Sequence, residues 1–328
     1  MSARRRARLR TTPVTNTGCS ARRLAISLLA PAALWLAQAP GAAAYELCDG
    51  PNRVSDVVGD AALRQRIVDV AVGEWRRFGF QVLDLSTAEW TADLSPVIGF
   101  NPPLADLPPE LMGVGKGRLV RIGVAENEFD GMSLVRTYWG AVTVRDARGI
   151  SVGGVAWSSA YVSWVMCRAG LSETQFNRRD AHVLYVSAAF RNEAHYGDTG
   201  SNPYAYLARP ANTPVKPGDL ACFSSSDLSF EERRRISMSD DWASGGGASH
   251  CDIVVGFAQD GTRVLAIGGN VQQSVTMSVF AARREGANVY LLGRAQWPSA
   301  RPFYGIMSLR ARPDLADRVM ISYARPAS

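Results

Sequence analysis

The stretch Val155–Leu171, Val-Ala-Trp-Ser-Ser-Ala-Tyr-Val-Ser-Trp-Val-Met-Cys-Arg-Ala-Gly-Leu, constrains this chain more than any other. Tyr161, Val162, Val165, Met166 and Ala169 recur at offsets of three and four, the spacing of one buried helical face. Gly170 can end such a helix, and the polar pair Ser158-Ser159 stands at its start. A serine there has two readings. It is an ordinary cap on a core helix, or a nucleophile placed where unpaired N–H groups and the helix dipole favour negative charge. Local sequence alone favours the cap.

The first 44 residues differ from the rest. Seven arginines, Arg4 to Arg23, precede an apolar run from Leu24 to Ala39, and Ala42-Ala43-Ala44 offers a small-residue cleavage site. This is the pattern of a secretory signal peptide over residues 1–44, and it predicts a periplasmic or secreted protein. Arg22-Arg23 also allows a twin-arginine signal. An uncleaved anchor is the alternative, and membrane contact is expected only through it. Without the leader, 29 of the 36 basic residues face 30 acidic ones, so the net charge falls to about −1 and nucleic acid is not an expected partner.

Four cysteines follow the leader: Cys48, Cys167, Cys222 and Cys251. In an exported chain this permits two disulfides. Cys222 and Cys251 lie in segments expected to be neighbouring strands. They form a cross-strand disulfide if both point to one face, and a buried thiol pair otherwise. Cys48–Cys167 is then the remaining pair. No spacing of Cys and His suggests a metal site, and no cofactor is implied.

Asp60–Phe78 reads as an amphipathic helix that Gly79 can end, with Glu74 inside its apolar stripe. That carboxylate is either paired with an arginine, the favoured reading, or turned into a cleft. Residues 81–117 are proline-rich and read as a loop-like insertion. Residues 134–144 resist assignment. Helices are expected at Ser158–Ala169 and Asp180–Glu193, and residues 196–214 read as polar and turn-rich. A strand follows at Leu220–Phe223, then a long polar excursion, 224–248, with room for one short helix. His250–Phe257 and Arg263–Gly268 read as strands joined by a hairpin at Asp260-Gly261, and further strands are expected at Val289–Leu292 and Tyr304–Leu309. Helices first, then an antiparallel meander, predict an α+β domain with N-terminal helices packed on one sheet. Residues 45–150 are assigned to the same domain as a core spanning 151–328.

Three histidines are present: His182, His195 and His250. His250 opens a strand and shares a face with Asp252 and Val254, while Cys251 faces the other way. Asn270 ends the return strand, within expected reach of the His250 ring. A nucleophile at a helix start, a histidine on a strand and a polar group on the next strand follow the logic of papain-like hydrolases.

Several motifs then resemble those of NlpC-type and CHAP-type cell-wall amidases. Trp157-Ser-Ser-Ala-Tyr-Val-Ser-Trp-Val165 is similar to their nucleophile helix, Pro217-Gly-Asp-Leu220 to a strand entry, Ser249-His250 to the histidine strand, and Gly268-Gly-Asn270 to the position of the third group. A closer resemblance is to domain-of-unknown-function family 2272, through these segments, His182-x-x-Tyr185, Ser249-His-Cys-Asp-Ile-Val254 and the run 267–275. The resemblance implies a papain-like fold and an exported envelope amidase or peptidase. Ser158 would be the nucleophile, His250 the base and Asn270 the orienting group, with Trp157, Ser159, His182 and Asp252 as substrate contacts. The implied partner is a peptidoglycan stem peptide or another envelope component. One departure matters: the amidases have cysteine where this chain has Ser158. Serine cannot be pre-ionised at a helix start as a thiol can, so it needs a base during attack. The alternative is an inactive domain that binds peptidoglycan or an envelope protein.

Overall fold

Leu63, Ile67, Ala71, Trp75 and Phe78 supply one apolar face, and helix α1 (Ala61–Arg77) forms with that face fully buried. Gly79, at φ 73°, ends it in the left-handed conformation that glycine adopts without a Cβ penalty. Glu74 is held from two sides. Arg77 Nη1 donates at 3.1 Å, and the Tyr138 hydroxyl donates at 2.7 Å. Of its two readings, pairing with arginine holds. Burial, and then the Glu74 charge, push the Tyr138 phenol well above its ordinary range, so it stays a donor.

The computed structural model describes residues 61–86, 118–121, 123–142, 156–224, 226, 228–239, 249–258, 261–292, 294–295 and 301–310. The expected leader, residues 1–44, and Cys48 lie outside them, as do residues 87–117 of the proline-rich segment. In chain order, α1 is followed by strands β1 (Gln81–Asp84) and β2 (Arg118–Arg121) and helices α2 (Phe129–Trp139), α3 (Ser158–Arg168) and α4 (His182–Tyr196). Then come β3 (Tyr206–Pro210), β4 (Leu220–Ser224), helix α5 (Phe230–Met238), β5 (Ser249–Ala258), β6 (Arg263–Val271), β7 (Ser274–Glu285), β8 (Asn288–Leu291), β9 (Arg294–Ala295) and β10 (Arg301–Leu309). Eight strands lie in the order β2-β1-β7-β6-β5-β4-β10-β3, with β8 paired to β7 and β9 to β10. Every pairing is antiparallel except β1 with β7. The described fold is therefore α+β, five helices on a mostly antiparallel sheet. Among the described residues no helix is long and apolar enough to cross a membrane.

Helix α3 is the centre. Every residue from Ser158 to Cys167 is buried, not one face alone. α1, α2, β5 and β6 all pack against it, which is why the helix carries apolar and small residues around its whole circumference. One large apolar cluster lies between the helices and the sheet, and it includes Cys222, Cys251, Ile253 and Ile267. A second holds Ala221, Phe223, Val254 and Ala266, the alternate positions of the same strands. Cys222 and Cys251 sit opposite one another on β4 and β5 and are joined by a disulfide, so the cross-strand reading holds. Cys167 is disulfide-bonded as well.

Three segments differ from expectation. Gln81–Asp84, read as the start of a loop, is a strand with all four side chains buried, too short and too evenly buried to alternate. Tyr206–Pro210, read as turn-rich, is an edge strand paired with β10, and Pro210 falls at its end, where no ladder donor is needed. Strand β7, absent from the reading, lies inside the sheet between β1 and β6. Its Ser274, Thr276 and Ser278 are buried, so its polar positions do not mark a solvent face. The short helix allowed in the excursion is α5, started by a capping box of Ser229 and Glu232.

The strand entry Pro217-Gly-Asp-Leu220 has a structural task. Gly218, at φ 90°, turns the chain so that the Asp219 carboxylate points inward. Its Oδ1 accepts from Arg64 Nη1 at 2.8 Å and from the Leu309 N–H at 2.9 Å, and its Oδ2 accepts from the Lys216 N–H at 2.9 Å. Arg64 also donates to the Pro217 and Leu309 carbonyls. One buried ion pair thus ties α1 to β4 and β10.

Candidate active site

Two helix starts and one strand end meet at the site. Ser158 is the first residue of α3, and the first backbone bond of that helix runs from the Tyr161 N–H to the Trp157 carbonyl. The N–H groups of Ser158, Ser159 and Ala160 precede that bond, as at any helix start. His182 is the first residue of α4. Its Nε2 lies 2.6 Å from Ser158 Oγ, and its Nδ1 is hydrogen-bonded to the Tyr185 hydroxyl. The spacing i, i+3 puts His182 and Tyr185 on one helix face, so α4 presents the ring and its orienting phenol together. The His250 ring stands 4.9 Å from the His182 ring, centre to centre.

Electrostatics assign states to these groups. Burial, and then the neighbouring His250, hold His182 well below the ordinary histidine value, so it is neutral at pH 7. Burial also pushes the Tyr185 phenol up, which keeps it protonated. When Tyr185 accepts the Nδ1–H, the Nε2 lone pair faces Ser158 and can take its proton. A phenol balances the resulting imidazolium less than a carboxylate does.

The expected residues come together unevenly. Ser158 is bonded to His182 rather than to the expected base, His250. His250 Nε2 bonds Asp252 Oδ1 at 2.7 Å rather than the expected Asn270. Asn270 is in the left-handed region at φ 57°, in a run with Gln272 and Gln273 at the β6–β7 turn. Regular pairing would set Asn270 opposite His250, but the β5–β6 ladder begins at Ile253↔Ile267, and β6 is irregular between Gly268 and Val271. The expected substrate contacts Trp157, Ser159 and Asp252 are 1%, 1% and 0% exposed. Trp157 stacks on Phe78 and donates to Glu126, and Ser159 donates to the Arg179 carbonyl at 2.8 Å. Tyr185 and Asp252 as orienting groups were missed as roles. Their offsets from the two histidines, i+3 on a helix and i+2 on a strand, were the available signals. Among the described residues no cluster of three or more His, Cys, Asp or Glu side chains is placed to hold a metal.

Gly268-Gly269 lets these parts approach. A Cβ on Gly268 would lie 1.8 Å from Asp252 Oδ1 and 3.0 Å from His250 Nε2, and one on Gly269 would lie 2.5 Å from the Tyr161 Cβ. The first glycine makes room for the carboxylate, the second for the opening turn of α3. Gly268→Ala is expected to cost about 1–3 kcal/mol of stability through overpacking. It should also displace His250, seen in NMR as a changed imidazole environment. An unchanged unfolding midpoint in urea would rule out the close fit.

A bacterial family described as an uncharacterized protein conserved in bacteria, DUF2272, matches residues 133–307. Neither curated proteins nor solved structures give a match. The matched segment is more than half of the chain and holds Ser158, His182, Tyr185, Asp219, His250 and Asp252: the chain belongs to DUF2272.

Proposed function

We propose that this chain is an exported hydrolase of the bacterial cell envelope that cleaves amide bonds of peptidoglycan stem peptides. On this reading it is a serine variant of the papain-like, NlpC- and CHAP-type amidase scaffold. One observation carries it: Ser158 Oγ, at the first turn of a buried helix, lies 2.6 Å from His182 Nε2. His182 takes the Ser158 proton during attack, and Tyr185 holds the ring. The N–H groups at the start of α3 face the developing oxyanion. The order of parts, nucleophile helix before antiparallel β4, β5 and β6, supports the scaffold reading.

A second reading has its own support. Ser158 and His182 are 7% and 4% exposed, and a binder of stem peptides or of an envelope protein needs no access to them. A fluorophosphonate probe separates the two. The hydrolase reading expects covalent labelling of Ser158, lost in Ser158→Ala, and muropeptide cleavage lost in the same variant. Micromolar muropeptide binding that survives in Ser158→Ala, without labelling or turnover, would establish the binder instead.

A further inference from the structure

We propose that His250 is a second proton-transfer residue of this site, the acid that serves the leaving group, with Asp252 as its positioning residue. This rests on the Ser158 hydrolase reading and gives separate tasks to the two histidines. Their hydrogen bonds point to that division. Ser158 is bonded to His182, so the nucleophile's proton has a recipient without His250. Asp252 is fully buried, its Oδ1 takes the His250 Nε2 contact at 2.7 Å, and its Oδ2 makes no hydrogen bond among the described residues. A carboxylate accepting at Nε2 fixes a hydrogen on that nitrogen in either protonation state. The proton that comes and goes is therefore the one on Nδ1. The His250 side chain is 12% exposed, with Phe223 packed 5.0 Å away and His182 4.9 Å away, centre to centre. Gly268 holds the pair in place by leaving the space that Asp252 fills.

The cycle balances. Ser158 Oγ attacks the amide carbonyl and its proton passes to His182 Nε2. The tetrahedral intermediate collapses as His250 Nδ1–H protonates the departing nitrogen, the C–N bond breaks, and an ester remains on Ser158. Water then attacks the ester, giving its proton to the neutral His250 Nδ1. His182 returns its proton to Ser158 Oγ as the ester bond breaks. One amide and one water become one acid and one amine, and both histidines regain their starting states.

A p-nitrophenyl ester tests this, because p-nitrophenolate leaves without a proton. The wild-type chain should release it in a burst followed by turnover. His250→Gln should keep the burst, about one equivalent per chain, then stall with the acyl group on Ser158 seen as a mass gain. Its steady rate should fall at least about a hundredfold. His182→Gln should lose the burst itself. A His250→Gln chain that loses the burst makes His250 the base and overturns the division. One that turns the ester over like wild type removes His250 from the chemistry. A wild-type chain that neither bursts nor labels with fluorophosphonate defeats the Ser158 reading, and with it this one. His250→Asn, checked for native circular dichroism, repeats the test should His250→Gln not fold.

Discussion

Asp219→Ala is expected to lower the stability of the folded chain by about 3–5 kcal/mol, the cost of breaking a buried ion pair by removing one partner. Arg64 and Asp219 side chains are 4% and 2% exposed and lie 2.8 Å apart. The carboxylate also serves the Leu309 and Lys216 N–H groups, so its loss leaves the Arg64 charge uncompensated, held only by two carbonyls, and takes the acceptor from two backbone donors at once. Against a typical total of about 5–15 kcal/mol, that is roughly a fifth of the whole or more. The effect should appear as a lower urea midpoint with little change in slope. The double variant Arg64→Met, Asp219→Leu should recover much of the loss, since a well-packed apolar pair can replace a buried ion pair at little cost. A single-variant change below about 1 kcal/mol would remove the pair from its place as the tie between α1, β4 and β10. This also separates structure from chemistry in the Pro-Gly-Asp-Leu segment: its acid holds the scaffold and lies outside the site.

Where one physical rule dominated, the fold could be read from the sequence. The α1 stripe, the Ser158 helix and the β5 strand followed from period alone, and neighbouring strands brought Cys222 beside Cys251, with a disulfide or a buried thiol pair both allowed. What escaped depended on contacts distant in sequence. Four residues at β1 form a strand because β7, almost two hundred positions later, pairs with them in parallel. β7 hid behind its serines and threonine, although Val275, Met277 and Val279 alternate as a strand should. At the site, the sequence gathered Ser158, His182 and His250 but set His250 beside Ser158, where the 2.6 Å contact is made by His182. Strand alternation put His250 and Asp252 on one face, which the 2.7 Å contact matches. It also implied that Asn270 lies across from His250, and that inference failed where β6 becomes irregular after Gly268. Whether α4 would bring His182 onto Ser158 was a matter of helix packing, on which local spacing is silent.

His182→Gln is expected to lower Ser158-dependent turnover by about 10²- to 10⁴-fold, the usual worth of a positioned base, while glutamine keeps a hydrogen-bonding side chain. The wild-type pH profile supplies the sharper test. Ser158 from α3, Tyr185 from α4 and His250 from β5 face this ring, with Asp252 behind His250. Burial and then the His250 charge hold its folded value well below 6.5. The base form is therefore complete at neutral pH, and the acylation burst should be flat there and fall only on the acid side of 6.5. In His250→Gln one of the two causes is gone, so the acid limb of the burst should move up toward 6.5 without reaching it, burial being the larger cause. Stability follows the same sign. The unfolded chain takes up the His182 proton near 6.5 while the folded chain resists it, so this contribution is complete above that value and is lost as pH falls through the folded one. His182→Gln should abolish that acid loss as well as the burst. An acid limb centred at or above 6.5 in the wild-type chain would mean that the working base is not this buried ring.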